Sequence, residues 1–164
     1  MKKATLCLLV KENQGSKEIL LAMKKRGFGA GKWNGVGGKL DPQKGDRNVI
    51  DAAIRETEEE IGVKIKELEK VAVLNFYFPN VAKEKEWDQE VHVFLVKDWE
   101  GEPGETEEMA PKWFKKSEIP FKEMWADDEL WLAYVLEGKK LKADFIFSTE
   151  ETIDKHNIKF VEEI

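Results

Sequence analysis

The 164-residue sequence contains one cysteine, two histidines and no long apolar run. The single Cys7 excludes an internal disulfide and a cysteine-based metal cluster, and neither histidine has a second ligand at metal-binding spacing. Apolar stretches such as residues 6–10 are far shorter than the roughly 20 residues that a membrane-spanning helix needs. No signal peptide is visible. These absences predict a protein of the reducing cytoplasm with no membrane partner.

The sequence also lacks an excess of positive charge. Lys and Arg together number 27, against 33 Asp and Glu, which gives a net charge of −6. A surface that binds a nucleic-acid polymer normally needs a cationic face to neutralise phosphates. The composition therefore argues against a nucleic-acid polymer as partner, whereas a small polyanion that brings its own cations is compatible with it.

No repeat or low-complexity linker divides the chain, so its length predicts one domain, residues 1–164. Apolar patterns predict strands at residues 4–10, 18–24, 70–79, 90–97 and 141–148. Helical periodicity predicts helices at 47–61 and 125–138, with Gly62 ending the first and Asp127 capping the second. Because strands and helices do not strictly alternate, the pattern favours an α+β fold, a mixed sheet flanked by helices.

The first predicted helix carries a stripe of acidic residues. At 100° per residue, Glu56, Glu59 and Glu60 share one arc of about 100°. The adjacent arc is the expected core face, formed by Ile50, Ala53, Ile54, Thr57 and Ile61. Like charges at these spacings repel, and they lie near the negative end of the helix dipole. A cation such as Mg²⁺ would relieve both penalties, but an ordinary solvated acidic face is an equally good interpretation of the helix alone.

Residues around the acidic stripe resemble a known motif. Gly38, Arg55, Glu56, Glu59, Glu60, Gly62 and Val63 are similar to the Nudix signature, Gly-x5-Glu-x7-Arg-Glu-U-x-Glu-Glu-x-Gly-U, in which U is a bulky aliphatic residue. Thr57 replaces one aliphatic residue, and the loop at 41–48 is three residues longer than in the signature. Lys44 stands where the signature has its first Glu. Asp46 is the nearest acidic substitute, and we expect it to stabilise the loop rather than to bind a metal.

Further segments extend the resemblance over nearly the whole chain, namely 23–39, 91–94, 107–114 and 119–131. They are similar to the MutT-homologue branch of the Nudix hydrolases. The resemblance implies the Nudix fold, in which a mixed β-sheet is sandwiched between α-helices, and we expect a monomer. It also implies divalent-metal-dependent hydrolysis of oxidised purine nucleoside triphosphates, such as 8-oxo-dGTP or 2-hydroxy-dATP, to a nucleoside monophosphate and pyrophosphate. Mg²⁺ is the implied cofactor, with Mn²⁺ as a substitute.

The same resemblance implies roles for individual residues. The expected metal ligands are the carbonyl of Gly37 and the carboxylates of Glu56, Glu59, Glu60 and Glu108. Arg55 is expected to orient a neighbouring glutamate, and Glu59 to take the proton of the attacking water. The expected substrate-binding residues are Thr5, Lys24, Phe28, Asn34, Phe76, Trp125, Asp127, Asp128 and Trp131. Simpler interpretations stay open for Lys24 as a solvated strand end and for Glu108 as part of an acidic loop.

The adjacent Asp127 and Asp128 admit two interpretations. Two carboxyls in an aromatic, poorly solvated site do not both ionise easily, so one of them keeps a proton and donates while its neighbour accepts. Such a pair can distinguish the altered edge of an oxidised purine. Alternatively, the two residues simply cap the second helix. The tryptophans outside this segment, Trp87, Trp99 and Trp113, are expected to serve packing only.

Two other functions remain compatible with the sequence. The first is a Nudix hydrolase of a different nucleotide, such as O6-methyl-dGTP or a dinucleoside polyphosphate. The second is a non-catalytic nucleotide-binding module, which the altered loop at Lys44 and Asp46 would favour. The intact Glu56, Glu59 and Glu60 argue against the second, because a binding module has little need of all three.

Overall fold

The computed structural model describes all 164 residues. Its strands are β1 (Lys2–Asn13), β2 (Ser16–Lys24), β3 (Trp33–Asn34), β4 (Lys64–Tyr77), β5 (Gln89–Glu100), β6 (Met109–Lys115), β7 (Lys140–Phe147) and β8 (Ile153–Val161). The two helices are α1 (Val49–Ile61) and α2 (Asp128–Leu136). Short 3₁₀ turns lie at Pro42–Lys44, Lys83–Lys85, Lys116–Glu118 and Phe121–Glu123. Neither helix has the length and apolarity needed to cross a bilayer.

All eight strands belong to one mixed sheet with the order β3-β2-β1-β5-β4-β7-β8, and β6 pairs with β2. The pairs β1–β5 and β4–β7 are parallel, and the others are antiparallel. Beyond β3, a glycine-rich segment, residues 35–38, runs beside β1. Val36 bridges to Cys7, and the following Lys39 bridges to Ala4. This pairing places the backbone of Gly37 and Gly38 against the middle of the sheet.

The two helices lie on opposite faces of the sheet. Along β1, Leu6, Leu8 and Val10 belong to the larger apolar cluster, which includes Trp131 and other residues of α2. The alternate Cys7 and Leu9 belong to the smaller cluster, which includes residues of α1. Side chains of a strand point alternately to the two faces, so a strand that is apolar at every position is buried on both sides.

Helix α1 forms largely as the sequence predicts. The Asn48 side chain caps its start by accepting from the amide of Asp51 at 3.0 Å, and Gly62 ends it in a left-handed conformation. The prediction for Ile50 is wrong, since Ile50 is 44% exposed. The apolar stripe instead starts at the partly buried Val49, four residues before Ala53. The observed core face of the helix is therefore rotated slightly from the predicted one.

Every predicted strand and both predicted helices are present, but three strands were not predicted. β3 is only two residues long. β6 contains Pro111, which weakens a strand pattern but is tolerated because β6 pairs on one side only, with β2. β8 is an edge strand whose sequence is mostly polar and mostly exposed, so it shows no apolar alternation.

Candidate active site

A cavity of about 390 Å³ opens between β1, the glycine-rich segment, the loop after β4 and the start of α2. This volume is in the range of small-molecule sites. All nine residues that the sequence nominated for substrate binding line it, as does Gly37; the nine are Thr5, Lys24, Phe28, Asn34, Phe76, Trp125, Asp127, Asp128 and Trp131. The structure therefore gathers residues from distant parts of the chain around one cavity.

Aromatic rings form much of the cavity wall. Phe28 lies between two indoles, with ring centroids 5.1 Å from Trp125 and 4.7 Å from Trp87. Phe76 stacks on Phe145 at 5.6 Å. Flat apolar surfaces of this kind stack well on a nucleobase.

Trp87 corrects a sequence prediction. It was expected to serve packing only, together with Trp99 and Trp113. Trp99 and Trp113 do stack on each other, 5.9 Å apart, and pack against the smaller core cluster, whereas Trp87 lines the cavity. An aromatic residue isolated in the charged run 83–90 (KEKEWDQE) is the sequence signal that could have identified it, because such a residue belongs to no apolar strand or helix pattern.

Asp127 and Asp128 are both 3% exposed and both line the cavity. Asp127 is the residue before α2, but its side chain makes no capping hydrogen bond. Its carboxylate instead accepts from the indole nitrogen of Trp131 at 2.8 Å. The predicted N-cap position of Asp127 is confirmed, but its side chain does not cap the helix. Asp128 Oδ2 is buried without a hydrogen-bond partner.

Burial makes both carboxyls hard to ionise. It raises the pKa of Asp127 to about 6. The pKa of Asp128 is raised well above its ordinary value, first by burial and then by repulsion from Asp127. Burial and repulsion from Asp127 both favour the protonated form of Asp128, so the pair is suited to present a donor beside an acceptor.

Two smaller side chains complete the cavity. Asn34 Oδ1 accepts from the Gly35 amide at 2.9 Å, which leaves the Asn34 amide nitrogen as a donor for a ligand. The Thr5 hydroxyl donates to the Gly38 carbonyl at 3.1 Å and accepts from the Gly38 amide at 3.3 Å. Thr5 thus holds the glycine-rich segment against β1.

The acidic end of α1 approaches this glycine-rich segment. A side chain at Gly38 would overlap the Glu56 carboxylate, and one at Gly37 would overlap the Thr5 carbonyl. The Gly37 amide also lowers the pKa of Glu60, so Glu56 and Glu60 both lie beside these glycines. The absence of a Cβ at Gly37 and Gly38 is what allows backbone and carboxylates to approach this closely.

Arg55 orients the acidic groups. Its guanidinium binds Asp46 at 2.6 and 2.9 Å, Glu56 at 2.9 Å and Glu59 at 3.2 Å. Asp46 also accepts from the Asp41 amide at 2.9 Å. Asp46 is thus fully engaged in holding the 41–48 loop to the helix, as expected from the sequence.

The environment of Glu60 suits a divalent cation. Burial and the neighbouring Glu56 raise the pKa of Glu60 to about 8, and its Oε2 atom is buried without a partner. Carboxylate and carbonyl oxygens are the donors that Mg²⁺ prefers. A cation between Glu56, Glu60 and the Gly37 carbonyl would offset the repulsion between the two carboxylates and give the unpaired Glu60 oxygen a partner. The residues therefore fit such an ion.

The other predicted ligands are not gathered there, and no three acidic, histidine or cysteine side chains are arranged so that they could hold a metal ion together. Glu59 is half exposed and turned to Arg55 and to Lys44, 4.0 Å away. Glu108 is paired with Arg26. Lys24 is near enough to lower the pKa of both Glu60 and Glu108, which places its ammonium between the cavity and the acidic residues.

Comparisons with known proteins identify the family of this site. The NUDIX domain family matches residues 1–135. A zebrafish (Danio rerio) protein named oxidized purine nucleoside triphosphate hydrolase is 42% identical over 163 residues, which are 99% of this chain and 97% of that protein. A mouse (Mus musculus) protein of the same name is 42% identical over 144 residues, or 88% of each chain.

Solved structures agree on the fold. The crystal structure of a MutT mutator protein from Bacillus halodurans matches with a TM-score of 0.79 at 22% identity, covering 97% of this chain and 98% of that one. A MutT NUDIX hydrolase from Burkholderia pseudomallei matches with a TM-score of 0.56 at 27% identity, covering 73% of this chain and 88% of that one. The α+β Nudix fold predicted from the sequence is confirmed, and the chain belongs to the Nudix hydrolase family.

Proposed function

We propose that this protein hydrolyses oxidised purine nucleoside triphosphates, such as 8-oxo-dGTP and 2-hydroxy-dATP, to the nucleoside monophosphate and pyrophosphate. The observation that carries the proposal is the Asp127–Asp128 pair, two adjacent carboxyls buried in an aromatic cavity where burial raises the pKa of both. The names of the zebrafish and mouse relatives support the same substrate class.

The base is recognised through complementary donors and acceptors. Asp128 donates a hydrogen bond, Asp127 accepts one, and the amide nitrogen of Asn34 donates another. Oxidation of a purine changes which atoms on its edge donate and accept. A cavity that buries polar groups discriminates strongly, because a base with the wrong edge leaves those groups unpaired. Phe28 and Trp125 hold the ring plane by stacking.

The triphosphate then extends towards the glycine-rich segment and α1. Lys24 binds a phosphate oxygen and neutralises part of its charge. Mg²⁺, or Mn²⁺ in its place, would be held by Glu56, Glu60, Glu59 and the Gly37 carbonyl, with Glu108 as a further ligand once it leaves Arg26. When bound, the ion lowers the pKa of water and neutralises charge that develops on the phosphates.

The remaining chemistry belongs to side chains of α1. Arg55 fixes the rotamer of Glu56 through its bond to the loop residue Asp46, which is the role expected of a residue behind a metal ligand. Glu59 takes the proton of the attacking water. Its side chain is half exposed and held only by ion pairs, so it is free to turn towards the substrate.

We further propose that all 164 residues act as one domain in a monomer of the cytoplasm, with a small nucleotide as the only substrate and no nucleic-acid polymer as partner. The residues nominated for substrate binding and the acidic residues of α1 all belong to one chain, so the proposed site needs no residue from a second copy.

Pyrophosphate release from a nucleotide panel tests the proposal. The panel contains 8-oxo-dGTP, 2-hydroxy-dATP, O6-methyl-dGTP, dGTP, dATP and a dinucleoside polyphosphate, each with Mg²⁺ and with excess chelator. The highest kcat/KM should fall on an oxidised purine triphosphate, and the chelator should abolish turnover. A preference for O6-methyl-dGTP or the dinucleoside polyphosphate would assign a different Nudix substrate, and binding without turnover would indicate a non-catalytic module.

A further inference from the structure

Trp87 is held in place on both sides by contacts of its neighbours in the loop between β4 and β5. Glu86 forms an ion pair with Lys2 at 2.6 Å. Asp88 accepts from the Phe78 amide at 2.8 Å, which ties the end of the loop to its beginning. These two contacts hold the backbone on both sides of Trp87.

The backbone before Trp87 has an uncommon conformation. Glu86 has a φ of 53°, one of only two non-glycine residues with positive φ in the chain. This conformation is costly for a residue with a Cβ, and such residues cluster at functional sites. Here it turns the chain directly before the residue whose indole faces the cavity.

The Trp87 indole joins the cavity wall to the core. Its centroid lies 4.7 Å from Phe28 and, edge-on, 5.4 Å from Phe78. Phe28 in turn contacts Trp125, two residues before Asp127. The rings of Trp125, Phe28 and Trp87 therefore form a continuous but angled aromatic wall of the cavity, with neighbouring ring planes tilted by 34° and 55°.

We propose that Trp87 is a specificity-determining residue that extends this wall far enough to cover a bicyclic base. The inference rests on the proposed function for its substrate class, a purine nucleotide. A single-ring pyrimidine that reaches the aspartate pair covers less of the wall and gains less from stacking. Trp87 therefore selects purines over pyrimidines, whereas the aspartate pair distinguishes oxidised from normal purines.

Variants of Trp87 and variants of the aspartate pair are therefore expected to differ in their kinetics. Trp87→Leu removes stacking that is the same in the ground state and the transition state, so KM rises while kcat is kept. We expect KM for 8-oxo-dGTP to rise about tenfold, with the ratio of kcat/KM for 8-oxo-dGTP over dGTP unchanged. Trp87→Phe should recover most of the loss. Trp99→Leu is the matched control, because Trp99 stacks on Trp113 and does not line the cavity.

Binding of nucleoside monophosphates in excess chelator tests the inference without turnover. Calorimetry should show that wild-type protein prefers 8-oxo-dGMP and dGMP to dCMP, and that Trp87→Leu loses about tenfold in affinity for both purines but little for dCMP. Nucleotide-induced quenching of tryptophan fluorescence should be smaller in Trp87→Phe and unchanged in Trp99→Phe.

Equal KM and equal purine preference in Trp87→Leu and Trp99→Leu would overturn the inference. So would a loss of kcat without a change in KM. If Trp87→Leu does not fold, the nucleotide-induced fluorescence quenching of Trp87→Phe tests the inference instead. Quenching equal to that of the wild type would then overturn it. Failure of the proposed function gives a different result, namely wild-type protein that binds purine monophosphates but does not hydrolyse oxidised purine triphosphates.

Discussion

The Arg55 guanidinium donates two hydrogen bonds to the Asp46 carboxylate, at 2.6 and 2.9 Å, and the Asp46 side chain is only 2% exposed. This pair joins the lengthened 41–48 loop to the helix that carries the acidic residues. It also lowers the pKa of Asp46. An acid in a new position within the loop therefore compensates for Lys44, which stands where the Nudix signature has its first glutamate.

Asp46→Asn should weaken both folding and catalysis. The substitution leaves the buried Arg55 charge without its main partner, so we expect a loss of about 1–3 kcal/mol in the free energy of unfolding. We also expect kcat to fall, because Arg55 no longer fixes Glu56. Urea unfolding and steady-state kinetics measure the two effects. Glu58→Gln, at an exposed position of the same helix, should change stability by less than about 0.5 kcal/mol.

Metal binding should release a proton from Glu60. Its pKa of about 8 means that the carboxyl is largely protonated at pH 7, and a cation binds only the ionised form. Calorimetry with Mg²⁺ or Mn²⁺ in buffers of different ionisation enthalpy should show release of about one proton at pH 7 and little at pH 9. Glu60→Gln should remove this dependence on the buffer. No proton release from the wild type at pH 7 would contradict the assignment.

Glu59→Gln should separate catalysis from folding. We expect kcat to fall about 100-fold or more, the scale of a lost general base and metal ligand. Stability in chelator should change by less than about 1 kcal/mol, because Glu59 is half exposed and its ion pairs are weak. Glu58→Gln on the neighbouring face is the control and should keep normal turnover. Near-normal turnover of Glu59→Gln would move the base to another residue.

The aspartate pair predicts how stability depends on pH. Both pKa values are raised in the folded protein, to about 6 for Asp127 and well above the ordinary value for Asp128, against about 3.9 in an unfolded chain. The folded state therefore holds protons that the unfolded state has lost, and stability falls as pH rises from about 4 through 6 and beyond. Asp128→Asn should confine the fall to about pH 4–6. Urea unfolding between pH 4 and 8 checks this, with the exposed Asp154→Asn as control.

The same pair predicts substrate ranking. In Asp127→Asn and Asp128→Asn, the new amide has a permanent donor and a permanent acceptor. In the wild type, the proton of the aspartate pair can move between the carboxyl oxygens. We expect at least one of them to lower kcat/KM for 8-oxo-dGTP by more than about tenfold and to change its ratio to 2-hydroxy-dATP. Affinity for Mg²⁺ should be unchanged, since α1 lies on the other face of the sheet. Loss of thermal stability alone, with the ranking kept, would reduce the pair to a structural role.

Local patterns account for the elements that the sequence predicts correctly. The apolar period and Gly62 define α1, and apolar runs define the central strands. The cavity residues could be nominated only through their resemblance to a family, because Thr5, Asn34 and Asp127 are ordinary residues until the chain brings them together. Ile50 shows the limit of periodicity, which fixes the apolar side of a helix only to within one position at its first turn.

Two further differences arise from contacts that no local pattern contains. Asp127 has the position and residue type of a helix cap, but its carboxylate accepts a hydrogen bond from the Trp131 indole instead of capping the helix. Trp87 sits among charged residues, and its place at the cavity depends on Phe28, 59 positions earlier in the chain. Tertiary partners decide the role of both residues.

The placement of α1 and α2 on opposite faces of one sheet makes the site modular. Trp125, Asp127, Asp128 and Trp131 lie in α2 or just before it, and Glu56, Glu59 and Glu60 lie on α1. The other proposed contacts, such as Asn34, Gly37 and Glu108, come from β3 and from loops. Substitutions at residues 125–131 or in the 78–88 loop can therefore retarget the enzyme to a different base while leaving its hydrolytic chemistry in place. An ancestor with this arrangement could acquire new substrates one loop at a time.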